Sequence, residues 1–143
     1  MAEQVFGADT APARERRPVW QAMWRGFRSR CPHCGEGKLF RAFVKPVDQC
    51  AVCGEDYTHQ RADDFPAYIT ITIVGHIVLG GFLAVETLFI LSNWVHLAIW
   101  VPLTIIMSIA LLQPVKGAII GLQWANYMHG FGGETDDREP PEQ

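Results

Sequence analysis

The sequence has 143 residues, about the length of one domain, and a formal net charge of −3. Residues 1–66 hold ten of the twelve Lys and Arg, whereas residues 67–113 hold a single charged side chain, Glu86. The chain as a whole is not basic, which gives no support to nucleic-acid binding. The first long apolar run starts near residue 67, too late for a secretory signal peptide.

The N-terminal part is predicted to hold a disordered segment and one short helix. Residues 1–18 mix charges with small residues and read as disordered. Residues 19–29 carry an apolar stripe at i, i+3, i+4 and i+7 spacing, which predicts an amphipathic helix. The stripe consists of Trp20, Met23, Trp24 and Phe27. This helix is expected either to lie at a membrane interface, held by aromatics and anionic lipid, or to pack on the domain that follows.

All four cysteines fall into two Cys-x-x-Cys pairs separated by fifteen residues: Cys31, Cys34, Cys50 and Cys53. This spacing predicts a zinc ribbon over residues 30–58, with the four thiolates about 2.3 Å from one structural zinc ion. Gly35 and Gly54 would let the backbone turn back beneath the metal. Residues 37–44 have strand character and would supply a minimal core through Leu39, Phe40, Phe43 and Val44. We expect the metal to provide the stability that so small a core lacks.

Other interpretations of the cysteines are less well supported by the sequence. Disulfides would need an oxidising compartment, which the expected topology denies. The Cys31-Pro-His-Cys34 run is similar to the active site of disulfide oxidases, but the βαβ fold that such a site needs is absent. Iron uses the same four ligands, and spacing alone does not distinguish it from zinc. A closed four-cysteine shell leaves His33 and His59 as surface residues.

Two apolar runs, residues 67–91 and 95–113, are each long enough to cross a membrane as a helix. The alternative of a buried hairpin in a soluble protein is disfavoured, because little other chain remains to cover it. A connection of only three residues, Ser92–Trp94, forces the spans antiparallel. The basic residues before residue 67 then place both termini in the cytoplasm, which predicts a multi-pass membrane protein.

After the second span, Pro114 is expected to break or kink the helix. Residues 115–129 are predicted to form a cytoplasmic amphipathic helix. Residues 130–143 are acidic, contain proline and are predicted to be disordered. The fold class is therefore a membrane α-helical hairpin of two transmembrane helices with a small N-terminal β zinc ribbon.

Three polar side chains inside the spans are candidate functional residues: His76, Glu86 and His96. Antiparallel spans would bring Glu86 near His96, either as a proton relay or metal site or as a polar contact that holds the helices together, which we favour. His76 shares an i+4 row with small residues, and Ser108 of the second span should lie near the same depth. An interhelical hydrogen bond of His76 is therefore expected in preference to a cofactor ligand.

Several motifs occur in order along the chain: Arg30-Cys-Pro-His-Cys-Gly-Glu-Gly-Lys-Leu-Phe40, Cys50-x-x-Cys53-Gly, Ala62-Asp-Asp-Phe-Pro-Ala67, Trp94-Val-His96, Trp100-x-Pro-Leu103 and Gln113-Pro-Val-Lys-Gly117. Over about residues 24–128 this set resembles an uncharacterised bacterial inner-membrane family, domain of unknown function 983. The resemblance implies a membrane-anchored zinc ribbon, and relatives whose genes often lie among those for assembling haem–copper oxidases. Relatives usually carry an apolar or aromatic residue where this chain has His76, which argues against a shared catalytic role there.

Two functions follow as hypotheses. The first is a non-enzymatic adaptor or assembly factor whose ribbon docks a partner, with a membrane protein or a second copy covering the exposed helix surface. The second is a subunit of an intramembrane enzyme or transporter that uses Glu86, His96 and Lys116. No nucleophile–base pair, phosphate loop or open metal site is visible in the sequence, which favours the first.

Overall fold

A computed structural model describes residues 15–131. Of the segments predicted to be disordered, 1–18 and 130–143, residues 1–14 and 132–143 lie outside the described residues. The described ends are held by contacts: Arg17 donates to the Trp124 carbonyl, and Phe131 is buried in the core. In chain order the elements are α1 (Val19–Phe27), β1 (Phe40–Ala42), β2 (Lys45–Pro46), α2 (Phe65–Leu88), α3 (Asn93–Ala125) and a short 3₁₀ helix (Met128–Gly130). The long helices α2 and α3 form an antiparallel pair, and everything else gathers around the last third of α3.

Helix α1 starts after Pro18, whose carbonyl accepts the first helical hydrogen bond, from Ala22 N–H at 3.0 Å. It ends two residues earlier than predicted, where Ser29 adopts a left-handed φ of 59°. The aromatic stripe faces outward: Trp20 is 79% exposed and Trp24 is 52% exposed. The alternative in which this stripe packs on the ribbon is therefore wrong, while its position at a membrane interface stays a prediction.

The opposite face of α1, made of small residues, packs against α3 in an antiparallel direction. A Cβ on Gly26 would overlap the backbone carbonyl of Gly117, and a Cβ on Gly121 would overlap that of Ala22. Glycine is required here because the two backbones touch. At the start of α1, Arg17 donates to the Trp124 carbonyl at 2.8 Å and lies over the Trp124 ring.

Helices α2 and α3 are joined by residues 89–92, not by the predicted Ser92–Trp94. Helix α2 ends at Leu88 because Phe89 is extended, with φ of −138°. Ser92 occupies the position before α3, and its carbonyl accepts from the N–H groups of Val95 and His96 at 3.0 and 3.2 Å. Ser92 has an extended backbone, with ψ of 152°, and its side chain makes no capping hydrogen bond, so Asn93 and Trp94 begin the helix.

Helix α3 does not end at Pro114, so of the expected break or kink, the break is wrong. The helix runs over 33 residues, about 50 Å, and contains both Pro102 and Pro114. Proline removes one helical hydrogen bond, but packing on both sides of Pro114 continues to hold the chain helical. The predicted separate helix over residues 115–129 is therefore the end of α3, followed at Tyr127 by a left-handed turn with φ of 54°.

The core is shared between the ribbon and the end of α3. Leu39, Phe40 and Tyr57 from the ribbon pack with Ala22 and Phe131 around the buried side chains of Val115, Ile119, Ile120, Trp124 and Ala125. Phe43 and Val44 were expected in this core, but they form the hairpin tip, where Phe43 is 54% exposed and Val44 has φ of 59°. The ribbon is thus one wall of a larger core and not an independent module.

Two glutamines of α3 fasten loops to the helix. The Gln113 amide oxygen accepts from Val44 N–H at 3.4 Å, and its nitrogen donates to Ser29 Oγ at 3.2 Å. Three turns later, Gln123 accepts from Arg61 N–H at 3.1 Å and donates to the Arg61 carbonyl at 2.9 Å. Each amide satisfies backbone or hydroxyl groups that the short strands leave unpaired.

Candidate metal centre

The two Cys-x-x-Cys segments fold into matching turns. Gly35 N–H donates to the Cys31 carbonyl at 2.8 Å, and Gly54 N–H donates to the Cys50 carbonyl at 3.0 Å. Both glycines have φ of 75°, a left-handed value that other residues rarely adopt. In the first turn, the N–H groups of Cys34 and Gly37 point at the sulfurs of Cys31 and Cys34, at 3.5 and 3.4 Å. Backbone donors of this kind stabilise thiolates.

The four sulfurs converge on one point. The Sγ atoms of Cys31, Cys34, Cys50 and Cys53 all lie within 4.8 Å of one another. The Sγ atoms of Cys31 and Cys53 are 3.6 Å apart, those of Cys34 and Cys50 are 3.8 Å apart, and all four thiols are free. A tetrahedral metal with metal–sulfur bonds of about 2.3 Å requires sulfurs about 3.8 Å apart. The donor set and its spacing therefore fit one tetrahedral metal ion.

Tyr57 adds a hydrogen bond to this cluster that the sequence analysis missed. Its hydroxyl lies 2.7 Å from Cys31 Sγ and its side chain is 1% exposed. Burial raises the pKa of Tyr57, so the hydroxyl keeps its proton and donates a hydrogen bond to the sulfur. Spacing could not identify this residue, because Tyr57 reaches Cys31 through the bridge between Gln49 and Asp56 that closes the second turn.

The pKa values of Cys31, Cys34 and Cys53 differ because the sulfurs lie close together and are buried to different degrees. Burial opposes ionisation of Cys34, but the N–H groups of Gly37 and Glu36 lower the pKa of that thiol to about 6. Burial and the neighbouring sulfurs raise the pKa of Cys53 to about 12. Burial also raises the pKa of Cys31, against the opposing hydrogen bond from Tyr57. Four thiolates at this separation repel one another unless a cation lies between them.

The two turns differ in what surrounds them. The first turn is covered: Pro32 is buried, and Arg25 of α1 donates to the carbonyls of Pro32 and His33 at 3.2 and 2.9 Å. The second turn is open, with Val52 59% exposed and Cys53 exposed. One face of the cysteine cluster is thus fixed to the helices and the other is accessible.

The structure places both ribbon histidines at the surface, outside the cluster of sulfurs. His33 Nδ1 lies 3.2 Å from a Glu55 carboxylate oxygen, and His59 Nε2 lies 3.7 Å from one of Asp56. Neither histidine competes with a cysteine for the central position.

At the far end of the helix pair, Glu86 and His96 meet. His96 Nε2 lies 2.9 Å from a Glu86 carboxylate oxygen, although the contact is not oriented as a linear hydrogen bond. Trp100 Nε1 donates to His96 Nδ1 at 3.3 Å, which leaves the proton of a neutral imidazole on Nε2, facing the carboxylate. An open cleft of about 380 Å³ borders the pair and includes Asn93 and Phe82.

His76 lies apart from these groups. Its Nδ1 is 2.7 Å from the Thr72 carbonyl of its own helix, and its side chain is exposed. Thr72, Gly80 and Ala84 are exposed as well, so this row faces away from α3. The expected interhelical hydrogen bond of His76 is therefore not formed, because α2 turns its Val74 and Gly81 side toward α3 instead.

Comparison with models of protein families shows which family the chain belongs to. A family model, protein of unknown function DUF983, matches residues 40–124. The chain belongs to the DUF983 family. The match includes the ribbon hairpin, the second cysteine pair and nearly all of α2 and α3, while Cys31 and Cys34 precede it. The searches of curated proteins and of solved structures found no match.

Proposed function

We propose that this protein is a membrane-anchored zinc-ribbon adaptor. The observation that carries the proposal is a closed cluster of four cysteine sulfurs fixed to the end of a two-helix hairpin. Four sulfurs leave no open coordination position, so the metal has a structural role. The protein's contribution is then a rigid surface held at a membrane, and not a reaction.

The membrane part of the proposal rests on the exposure of α2 and α3. Both helices are long and apolar enough to cross a membrane, and only 11% and 6% of their most apolar windows are buried. A core helix of a soluble protein would be mostly covered. Exposing about twenty apolar residues per helix to water would be strongly unfavourable, whereas a lipid bilayer accepts them.

The proposed topology is that of a bacterial inner-membrane protein with both termini in the cytoplasm. Its support is the charge distribution: ten basic residues precede residue 67, and the link over residues 89–92 has none. A C-terminal alkaline phosphatase fusion should be inactive and a C-terminal fluorescent protein should fold and emit. Phosphatase activity in the periplasm would contradict the orientation.

The proposed ion is zinc, since cytoplasmic four-cysteine ribbons with structural roles bind it with tetrahedral geometry. Elemental analysis of the purified protein should find about one zinc ion per chain. An iron content near one, with the absorption of an iron–thiolate site, would replace zinc by iron without changing the ligands. A chain free of both metals would overturn the proposal.

The adaptor role assigns the open turn of the ribbon as the partner face. Val52 is 59% exposed beside Cys53, while the first turn is already occupied by Arg25. The partner is a membrane protein, of which a haem–copper oxidase under assembly is the version suggested by the family resemblance, or a second copy of the chain. Co-purification after cross-linking in mild detergent tests this: Val52→Glu should lose the partner, and Val19→Glu, at an exposed valine of α1, should keep it. A partner retained equally by both variants would contradict this face.

A second candidate function is favoured by the contact between Glu86 and His96. A carboxylate and an imidazole 2.9 Å apart in an apolar helix pair could pass a proton or bind a cation as part of an enzyme or transporter subunit. Lys116 would then lie toward the other end of α3. Loss of cellular function in a stable Glu86→Gln protein would favour this candidate over the adaptor.

A further inference from the structure

The hairpin tip and the end of α1 meet on α3 at one level. Gln113 holds both, through Val44 N–H and Ser29 Oγ. Val44 is held at a φ of 59°, which is unfavourable for a β-branched residue, so the contact with Gln113 fixes a tip that would otherwise relax. The tip is therefore placed against the point where the exposed part of α3 ends.

The first turn of α2 reaches the same level. Glu86 lies beside His96, so the antiparallel register places Tyr68, eighteen residues before Glu86, beside Pro114, eighteen residues after His96. From Trp94 to Pro114 the helix covers about 30 Å at 1.5 Å per residue, which is the thickness of a bilayer hydrocarbon core. The level of Gln113 is thus the expected boundary between hydrocarbon and headgroups.

The antiparallel registers place exposed aromatic side chains from three separate parts of the chain at this boundary or within about 10 Å of it. They are Trp24 and Phe27 of α1, Phe43 of the hairpin tip, and Phe65 and Tyr68 of α2. Trp24 and Phe27 also stack on each other, with ring centroids 5.7 Å apart. Aromatic rings with polar surroundings are typical of the headgroup layer, where one part of the side chain is apolar and another is wet.

The basic and acidic side chains of the ribbon lie in different halves of its sequence. Residues 28–46, which include the hairpin, have five basic side chains and one acidic; residues 47–64 have five acidic and one basic. All five basic side chains are exposed: Arg28, Arg30, Lys38, Arg41 and Lys45. Within residues 15–131, no carboxylate forms an ion pair with any of them. Among the described residues, the basic side chains in this half of the ribbon are therefore not paired with a carboxylate.

We propose that the basic surface formed by Arg28 at the end of α1 and by Arg41 and Lys45, which flank Phe43 in the hairpin, binds the headgroups of anionic phospholipids in the leaflet next to it. The inference rests on the proposed membrane embedding. The lipid is favoured over other anions because the same surface carries aromatic anchors and lies level with the end of the apolar helices. Binding there would set the ribbon flat on the membrane and leave the acidic second turn facing outward.

Full-length protein in a neutral detergent, mixed with phosphatidylglycerol or phosphatidylcholine, tests this by native mass spectrometry. The wild type should retain phosphatidylglycerol about tenfold more than phosphatidylcholine. Arg41→Gln and Lys45→Gln should each lower that retention about fivefold, the effect of one basic residue near an anionic surface. Arg16→Gln is the matched control, an exposed arginine at the other end of α1, and should change it less than twofold.

Equal retention of the two lipids, or an equal loss in the Arg16→Gln control, would overturn the lipid surface. Displacement of phosphatidylglycerol by millimolar inorganic phosphate would overturn it in favour of a small-anion site. Carbonate extraction of membranes that contain the same proteins tests membrane embedding independently of lipid binding. Extraction of the wild type into the soluble fraction would contradict the proposed function itself, whereas an embedded protein without lipid preference contradicts only this inference.

Discussion

Helix α3 is one continuous element with two different environments. Over Asn93 to Gln113, His96 alone is buried among the described side chains, whereas eight of the eleven residues from Val115 to Ala125 are buried. Both parts are apolar, so hydropathy does not separate them. The difference is the supply of neighbours: α1, the ribbon and the 3₁₀ helix cover the second part, while α2 alone accompanies the first. Apolar sequence becomes a protein core only where other chain is available to cover it.

The largest effect is expected from breaking the covered part. Gly117→Leu places a side chain where the backbone of Gly26 already lies, and a backbone contact cannot move aside. We expect the packing of α1 and the ribbon on the end of α3 to lose about 3 kcal/mol or more of stability, enough to separate α1 from α3. Limited proteolysis should then cleave in the first thirty residues, near α1, while α2 and α3 stay in the membrane fraction.

Gly75→Leu is the control for this change. A Cβ on Gly75 meets nothing within 4 Å, because it lies on the uncovered part of α2. The variant should match the wild type in abundance and protease pattern. Equal damage from both substitutions would mean that α2 is as closely covered as the end of α3, which would remove the contrast between the two environments.

Removing a metal ligand should have the next largest effect. Cys34→Ser or Cys50→Ser leaves three sulfurs, and zinc content should fall from about one ion per chain to below about a tenth. Residues 31–55 should become sensitive to protease. Because the backbones of α1 and α3 touch directly at Gly26 and Gly117, outside the cysteine turns, the contact between α1 and α3 should survive. Complete degradation of α1 and the ribbon would show that the metal, and not the shared core, holds them together.

Tyr57→Phe isolates one hydrogen bond of the metal cluster. The ring keeps its place in the core, and only the hydroxyl that donates to Cys31 Sγ at 2.7 Å is removed. Groups that hydrogen-bond to a metal ligand typically change metal affinity ten- to a hundredfold, so zinc should be lost at a chelator concentration lower by about that factor. Tyr68→Phe, at an exposed tyrosine of α2, is the control and should leave the affinity unchanged. Identical chelator curves for all three proteins would remove Tyr57 from the site.

The sequence predicted the elements whose signals are local. The cysteine spacing and the two glycines indicated the paired turns. The apolar runs indicated both ends of α2 to within three residues and the start of α3 to within two, but not the continuation of α3 beyond Gln113. The i+4 pattern of α1 predicted a helix correctly. Of the two positions expected for its stripe of large residues, packing on the ribbon is wrong and the membrane interface stays a prediction. Small residues pack α1 on α3, because Gly26 and Gly117 allow backbones to touch while Trp20 and Trp24 are too large to do so.

Features that depend on the third dimension were missed. Pro114 is a strong local signal for a helix end, yet packing of the flanking residues overrides it. Phe43 has the composition of a core residue, but the hairpin turns at that point and carries it outward. Tyr57 joins the metal cluster only because the second turn folds back over Cys31. No spacing rule along the chain contains these contacts.

The smallest effect is expected from Glu86→Gln, which tests the uncovered part of the helix pair. Gln keeps the shape of the side chain and can still contact His96, but it removes the charge. If the contact only holds α2 and α3 together, abundance and cellular function should stay near those of the wild type. Glu86→Leu should then weaken helix association in detergent by about 1 kcal/mol while leaving insertion intact, since an interhelical hydrogen bond is worth about that much. His96→Gln offers the reciprocal change, and its effect should not add to that of Glu86→Leu, because both remove the same contact. A Glu86→Gln protein that is abundant and metal-loaded but inactive would contradict this role, since only proton or cation chemistry needs the charge that the substitution removes.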